Sequence, residues 1–185
     1  MNVNAIIDQV IARERGYVND PLDRGGETNY GITWTVARAN GYHGPMKDMP
    51  RSVAVDIYTR RYILAPCFDK VLLIDQTIGE ELIDTGVNMG PHIAAEFLQR
   101  ALNALNDNAT HYQDLFVDGR IGVQTYKALG SFLAWRGQPG RNVLLTLLNS
   151  LQAIRYLDIC EHAHAQERFL FGWIAQRVHL PTTNT

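Results

Sequence analysis

Three residues whose side chains could share an acid–base reaction lie near the N-terminus: Glu14, Asp23 and Thr28. Glu14 stands at the expected end of a helix, where the negative end of the helix dipole disfavours a carboxylate and raises the carboxyl pKa. Asp23 follows in a polar segment where solvent and backbone N–H groups favour the ionised form. Two carboxyl groups in such contrasting environments are suited to the acid and base roles of glycoside hydrolysis.

Thr28 follows a glycine pair, Gly25 and Gly26, which lets the backbone turn tightly and approach a ligand closely. Its hydroxyl group could orient an attacking water molecule beside Asp23. Residue types alone leave a second interpretation open, because a glutamate at a helix end is usually a solvated charge and a glycine pair usually marks only a turn.

Side chains suited to holding a sugar occur in the same segment. Tyr17 and Tyr30 offer flat apolar faces to sugar rings, and the amide of Asn29 offers a donor and an acceptor. Tyrosines in loops also cap hydrophobic cores, so the residue types do not decide between the two roles. The segment as a whole is a candidate binding wall.

Helical periodicity dominates the rest of the chain, so the predicted fold class is mainly α, with room for a small β-hairpin within residues 15–32. An apolar stripe predicts a first helix from residue 3 to about residue 14. A capping box, Thr77 to Glu80, predicts the start of a later helix that reaches Asn88. Further helices are expected at 34–40 with Thr33 as N-cap, 51–65, 94–105, 122–135, 141–164 and 167–178.

Composition and charge exclude several classes of protein. The chain has 185 residues, a hydrophobic fraction of 46% and a formal net charge of -2 without a basic block, which argues against nucleic acid binding. Asp8 and Gln9 interrupt the first apolar run, so it predicts neither a signal peptide nor a membrane anchor. The expected site of synthesis is therefore the cytoplasm, and any export is expected to use a route other than a signal peptide. Cys67 and Cys160 are expected to be free thiols.

The string E-x-G-Y-x-x-D-P-x-D-x-G-G-x-T-x-x-G-I, residues 14–32, resembles the signature of glycoside hydrolase family 108, the phage and bacterial N-acetylmuramidases. Arg15 departs from that pattern, since family members usually carry glycine there. The segments 87–103, 117–129 and 168–178 are also similar to the family, the second of them to its predicted peptidoglycan-binding region. The resemblance therefore extends over nearly the whole chain.

The resemblance implies a lysozyme-like helical fold with a catalytic muramidase lobe, 1–89, and a helical C-terminal lobe, 90–185, packed as one compact unit. Glu14 would be the catalytic acid, and Asp23 and Thr28 would position or activate water by analogy with phage lysozymes. Asn88 is a candidate for the far wall of the cleft, or else a helix C-cap. No cofactor or metal is implied, and we expect inversion at the anomeric carbon.

By the same resemblance the partner is bacterial peptidoglycan, cleaved at the β-1,4 bond between N-acetylmuramic acid and N-acetylglucosamine. The expected context is a monomeric phage endolysin that acts in the periplasm after release by a holin, without stable membrane insertion. Two alternatives remain: a lytic transglycosylase that leaves 1,6-anhydro products, and a non-catalytic wall-binding or virion structural protein.

Three other features do not predict sites. His162 and His164 point roughly 200° apart on a helix and cannot share a metal ion. Asp118 begins a D-G sequence but lacks the further aspartates of a calcium loop. The aromatic residues of 168–178 could touch a membrane, but their helical spacing favours a place in the core.

Overall fold

The computed structural model describes residues 3–13, 16–19 and 26–178. These residues are mainly α-helical with a small antiparallel hairpin, which confirms the predicted fold class. In chain order the elements are α1 (Val3–Arg13), β1 (Thr28–Asn29), β2 (Ile32–Thr33), α2 (Trp34–Ala39), α3 (Arg51–Thr59), α4 (Phe68–Ile74), α5 (Gln76–Met89), α6 (Pro91–Ala104), α7 (Val123–His162) and α8 (Glu167–Arg177). Short 3-10 helices span Met46–Asp48 and His164–Gln166, and a π-helical turn spans Arg60–Leu64.

The backbone packing divides the chain into two compact units, residues 1–65 and 66–185. This division precedes the domain boundary expected at residues 89 and 90. A compact packing unit need not coincide with a family domain, so the domain boundary after residue 89 stays a prediction.

In the first unit, α1 packs against α3 through the apolar stripe that the sequence indicates. Asp8, on the exposed side of α1, forms an ion pair with Arg51 at the start of α3. Because both side chains are solvated, the pair adds little to stability and the apolar contact holds the helices together. The buried residues of the stripe are Ile6, Ile7, Val10 and Ile11.

The two following helices begin and end where the sequence predicts. The hydroxyl oxygen of Thr33 accepts a hydrogen bond of 3.3 Å from the backbone N–H of Val36, and this N-cap starts α2, whose C-cap is Asn40. The helix that opens after Pro50 continues beyond α3 as the π-helical turn, with the N–H of Ala65 bonded to the carbonyl of Arg60 at 2.8 Å.

In the second unit, α5 packs against α4 and α6, while α7 contacts α4, α5, α6 and α8. Helix α4 was not expected, since its seven residues show too little periodicity to indicate a helix. Large, fully buried side chains from these helices form the core: Phe68, Ile78, Leu82, Ile83, Leu98, Leu102, Leu129, Phe132, Leu144 and Tyr156. Cys67 and Cys160 are free thiols, as predicted.

The predicted capping box at the start of α5 is wrong. The N-cap is Asp75, whose carboxylate oxygen accepts a hydrogen bond of 3.1 Å from the backbone N–H of Ile78. Asp75 is buried and also pairs with Arg141 of α7, so tertiary contacts favour this earlier start. Thr77 therefore lies inside the helix, and Glu80 accepts a hydrogen bond from the side chain of Gln76.

Helix α7 consists of two helical segments joined at Gly137, which has φ 57° and ψ −147°, with Pro139 just after it. The prediction of two helices here is thus confirmed. By length and composition alone, α7 is the one helix in the described part of the chain that could span a membrane. It also buries the polar side chains of Asn149 and Gln152 within the second unit, as the core helix of a folded domain does.

Helix α8 lies at the periphery of the second unit. None of its residues is fully buried, and Phe171 is 86% exposed, so the expectation that its aromatic residues are core was wrong. Among its aromatic residues, Trp173 reaches inward, where its ring stacks on that of buried Tyr156 at a centroid distance of 5.0 Å. Arg177 pairs with Asp84 of α5 at 3.0 Å and fixes the end of the helix.

Candidate active site

Thr28 lies at the centre of a three-segment β arrangement in the first unit. Its backbone pairs with Thr33 of β2 on one side. On the other side it exchanges two hydrogen bonds with Val18, of 2.8 and 2.9 Å. The backbone at Thr28 is therefore held from both sides, although β1 itself has only two residues. This confirms the small hairpin expected within residues 15–32.

The turn of the hairpin is formed by Tyr30 and Gly31, both with positive φ, of 52° and 71°. Positive φ at both central residues is typical of a type I′ turn, whose twist matches that of the strands. Glycine adopts this conformation freely, whereas a tyrosine there is strained by about 1 kcal/mol or more. The phenol of Tyr58 donates a hydrogen bond of 3.0 Å to the carbonyl oxygen of Tyr30 and supports the turn.

The two faces of the hairpin differ in burial. Asn29 and Ile32 form a directly opposed pair and are both buried. The amide nitrogen of Asn29 donates a hydrogen bond of 2.7 Å to the carbonyl oxygen of Met46. Thr28 and Thr33 form the next opposed pair, and because strand side chains alternate, they lie on the other, half-buried face.

The hairpin brings together four of the residues predicted for the site. Tyr17 is 42% exposed and directly precedes Val18, while Thr28, Asn29 and Tyr30 lie on the strand and its turn. The burial of Asn29 gives its amide nitrogen a structural partner, and its binding of substrate stays a prediction. Glu14 and Asp23 lie outside the described residues. Gly25 and Arg15, the residue that departs from the family pattern, lie outside them as well. Helix α1 ends at Arg13, immediately before Glu14 in the sequence.

Asn88 belongs to the second unit and lies in the last turn of α5. Its amide nitrogen donates a hydrogen bond of 2.6 Å to the phenol oxygen of Tyr156 on α7. Burial raises the pKa of Tyr156 to about 12, so this phenol stays neutral. The alternative that Asn88 caps the helix is wrong, because the C-cap is Gly90, with φ 96°.

A polar cluster that the sequence did not indicate surrounds Glu81 on α5. Burial raises the pKa of Glu81 to about 7, against a smaller lowering by its hydrogen bond with Asn149 of α7. The hydroxyl of Thr85 donates to the Glu81 carboxylate at 3.4 Å and accepts from the amide of Gln152 at 3.3 Å. In the sequence, the only indication of this cluster is the presence of two amide residues, Asn149 and Gln152, on the apolar face of α7.

A second feature missed in the sequence is the side chain of Trp34, the first residue of α2, which is 47% exposed. The guanidinium carbon of Arg38, one helical turn later, lies over its ring at 5.1 Å from the centroid. The backbone N–H of Trp34 donates a hydrogen bond of 2.8 Å to the carbonyl oxygen of Glu27, the residue before Thr28. This hydrogen bond holds the backbone of Trp34 beside the segment that contains Thr28, the predicted catalytic threonine.

In the second unit, the D-G-R-I-G sequence at 118–122 is bound to α6 by one side chain. The carbonyl oxygen of the Gln99 side chain accepts hydrogen bonds from the backbone N–H groups of Asp118 and Gly119, at 3.1 and 2.9 Å. Its amide nitrogen donates to the Asp118 carboxylate and to the carbonyl of Arg120. These bonds lower the pKa of Asp118, chiefly through the Gln99 amide.

Glycine is favoured at position 119 by its backbone conformation and by the space around it. Its φ is +64°, and a Cβ atom built on it would lie 2.1 Å from a ring nitrogen of His92. Asn103 of α6 exchanges hydrogen bonds of 2.8 Å with both backbone groups of Leu115, and Asn106, just after the end of α6, bonds the backbone of Tyr112. The local role of this motif is therefore to hold the long connection between α6 and α7.

No group of three or more His, Cys, Asp or Glu side chains among the described residues is arranged to hold a metal ion. His162 and His164 have different partners, the carbonyl of Asp158 at 2.7 Å and the carboxylate of Glu167 at 2.8 Å.

Comparison with known proteins agrees with the described fold. Residues 7–90 match the family model described as Glycosyl hydrolase 108, and residues 93–178 match the model described as Predicted Peptidoglycan domain. No curated protein matches the chain. The solved structure of Brucella abortus SagA is similar in fold, with a TM-score of 0.63 and 22% identity, over 94% of this chain and 87% of that one. Residues 7–90 thus form a glycosyl hydrolase 108 domain and residues 93–178 form a predicted peptidoglycan domain, and the protein is a glycoside hydrolase that acts on peptidoglycan.

Proposed function

We propose that the protein is an N-acetylmuramidase that hydrolyses the β-1,4 bond between N-acetylmuramic acid and N-acetylglucosamine. Glu14 donates its proton to the oxygen of the leaving sugar as the glycosidic bond breaks. The positive charge that develops on the other sugar faces the carboxylate of Asp23. Water then attacks the anomeric carbon and gives its proton to Asp23, while the hydroxyl of Thr28 orients that water.

The observation that supports this role of Thr28 most is its place in the hairpin. Its backbone exchanges two hydrogen bonds with Val18 and lies in register with Thr33 of β2, and its side chain lies on the face opposite to buried Asn29. A rigid backbone limits the positions of the hydroxyl, and positioning of the reacting groups accounts for a large part of enzymatic rate enhancement. The Glycosyl hydrolase 108 match at 7–90 includes all three proposed catalytic residues.

We further propose a catalytic region at residues 1–89 and a wall-binding region at residues 90–185. The point at which one family match ends and the next begins, between residues 90 and 93, supports this division. In this proposal the protein is a monomeric phage endolysin that reaches the periplasm through holin lesions and lyses the host cell.

The test is mass spectrometry of peptidoglycan digested by the purified protein. Hydrolysis predicts reducing N-acetylmuramic acid ends, whereas 1,6-anhydro ends as the main product would show a lytic transglycosylase and contradict the role of water. Binding to sacculi without soluble products would favour a non-catalytic wall protein.

The residue assignment is tested by the substitution Glu14→Gln, which should abolish product release while leaving folding and sacculus binding intact. The matched control is Glu27→Gln, the same change in the same segment, which should retain activity. Full activity of Glu14→Gln would contradict the assignment of the acid.

A further inference from the structure

The exposure of Trp34 is unusual for a residue of its size, since tryptophan is highly buried on average. About half of the residue's surface, 47%, is accessible. Its backbone position is nevertheless well defined, because it begins α2 directly after the N-cap Thr33 and bonds to the carbonyl of Glu27. Trp34 is thus a large aromatic surface on a rigid part of the chain.

Arg38 restrains the orientation of this aromatic ring. Its guanidinium lies over the indole at 5.1 Å from the ring centroid, one helical turn further along α2. An attraction between a cation and the face of a tryptophan ring contributes about 0.5–1 kcal/mol at an exposed site. The pair therefore presents an ordered apolar ring next to a fixed positive charge.

The position of this pair relates it to the proposed reaction. Thr28 and Thr33 are opposed in the hairpin, so Trp34 follows the direct partner of the proposed water-orienting residue. Arg38 is the only charged residue of α2. An apolar ring beside one cation is complementary to a ligand that combines an apolar ring face with a carboxylate.

Peptidoglycan has this combination of groups. Its pyranose rings have faces of C–H bonds that can stack on an aromatic ring, and the stem peptides on its muramic acid residues carry free carboxylates. We propose that Trp34 and Arg38 form a substrate subsite in which the indole stacks on a sugar of the glycan strand and the guanidinium binds a stem-peptide carboxylate. This inference rests on the proposed muramidase function and adds a site that recognises the strand.

The test compares two substrates, soluble glycan strands with stem peptides and the same strands from which an amidase has removed the peptides. Trp34→Ala should raise KM about tenfold on both substrates, because truncation of an aromatic anchor removes its stacking surface. Trp34→Phe should recover part of this loss. Arg38→Gln should raise KM several-fold only on strands that carry peptides. In each case kcat should change less than KM.

The control is Leu73→Ala, which removes exposed apolar surface from a side chain that is 82% exposed and distant in sequence from the subsite. It should leave KM unchanged. Wild-type activity with unaltered KM in Trp34→Ala would overturn the stacking role, and an equal effect of Arg38→Gln on both substrates would overturn the carboxylate role. Circular dichroism and thermal unfolding show whether each variant is folded.

A direct binding measurement separates failure of the subsite from failure of the proposed function. Calorimetric titration of Glu14→Gln, alone and combined with Trp34→Ala, measures the binding of peptide-bearing strands without their cleavage. Absence of wild-type cleavage would contradict the muramidase proposal, whereas equal affinity of the two proteins would overturn the subsite. About tenfold weaker binding by the combined variant would support the subsite in either case.

Discussion

The phenol of Tyr58 on α3 donates a hydrogen bond of 3.0 Å to the backbone carbonyl oxygen of Tyr30, at the strained turn of the hairpin. This contact joins α3 to the hairpin that carries Thr28. It explains how a hairpin with two residues in each strand keeps a defined geometry, since such a short hairpin is not stable alone.

We predict that Tyr58→Phe destabilises the protein by about 1 kcal/mol, the usual contribution of one such hydrogen bond. The proposed activity should fall a few-fold as the Tyr30 turn loosens. Tyr42→Phe removes a similar hydrogen bond, from an exposed phenol to the carbonyl of Pro45, and serves as the control. Denaturant unfolding and initial rates check both variants, and equal effects of the two would contradict a special role for the turn.

The second prediction concerns Thr28 itself. Thr28→Val keeps the shape of the side chain and removes the hydroxyl that orients water, so kcat should fall roughly 10²-fold with little change in KM. Thr33→Val makes the same change at the opposed strand position and removes the N-cap of α2, which should cost about 1 kcal/mol of stability. If both variants lost activity only in proportion to stability, the catalytic role of Thr28 would be wrong.

The third prediction is a dependence of stability on pH through Glu81. The pKa of this carboxyl is raised from 4.5 to about 7 by burial, so the folded chain binds its proton more tightly than the unfolded chain. The resulting stabilisation is complete below pH 4.5, falls as the pH rises and is lost above about pH 7. Over this range the free energy of unfolding should decrease by on the order of 3 kcal/mol.

In Glu81→Gln the free energy of unfolding should therefore vary less between these pH values than in the wild type. Glu161→Gln, at the exposed end of α7, should retain the wild-type variation. Urea unfolding at intervals of pH measures the difference. Stability that rises with pH over this window in the wild type but not in Glu81→Gln would contradict the sign of the shift.

The fourth prediction concerns the connection between α6 and α7. Gln99→Met keeps the length of the side chain but removes the amide of a buried residue that forms four hydrogen bonds with residues 118–120, and should cost about 1–3 kcal/mol of stability. The backbone N–H groups of Asp118 and Gly119 should then exchange with solvent faster. Gln138→Met, at an exposed position on α7, should change neither quantity. Unaltered hydrogen exchange at residues 118 and 119 in Gln99→Met would show that the Gln99 side chain does not hold the connection between α6 and α7.

Most helices could be predicted from the sequence because their signals are local. The stripe of α1, the N-cap at Thr33, the helix opening after Pro50 and the break before residue 141 depend on periodicity and on backbone preferences of single residues. The family signature at 14–32 likewise identified the hydrolase from a short string. Local signals did not predict the start of α5, where buried Asp75 gains a partner on another helix and is the N-cap, two residues before the expected N-cap Thr77.

The sequence by itself determined the helical class, the family and the candidate catalytic set, since these depend on residue type and spacing along the chain. Only the tertiary structure placed Thr28 between Val18 and Thr33, buried Asn29 against Met46 and left Trp34 half exposed beneath Arg38. Only packing raised the pKa of Glu81, because burial and long-range hydrogen bonds do not follow from neighbouring residues. The reason is the same throughout: chain-local preferences select elements, whereas solvent exclusion and contacts between distant residues decide what each side chain can do.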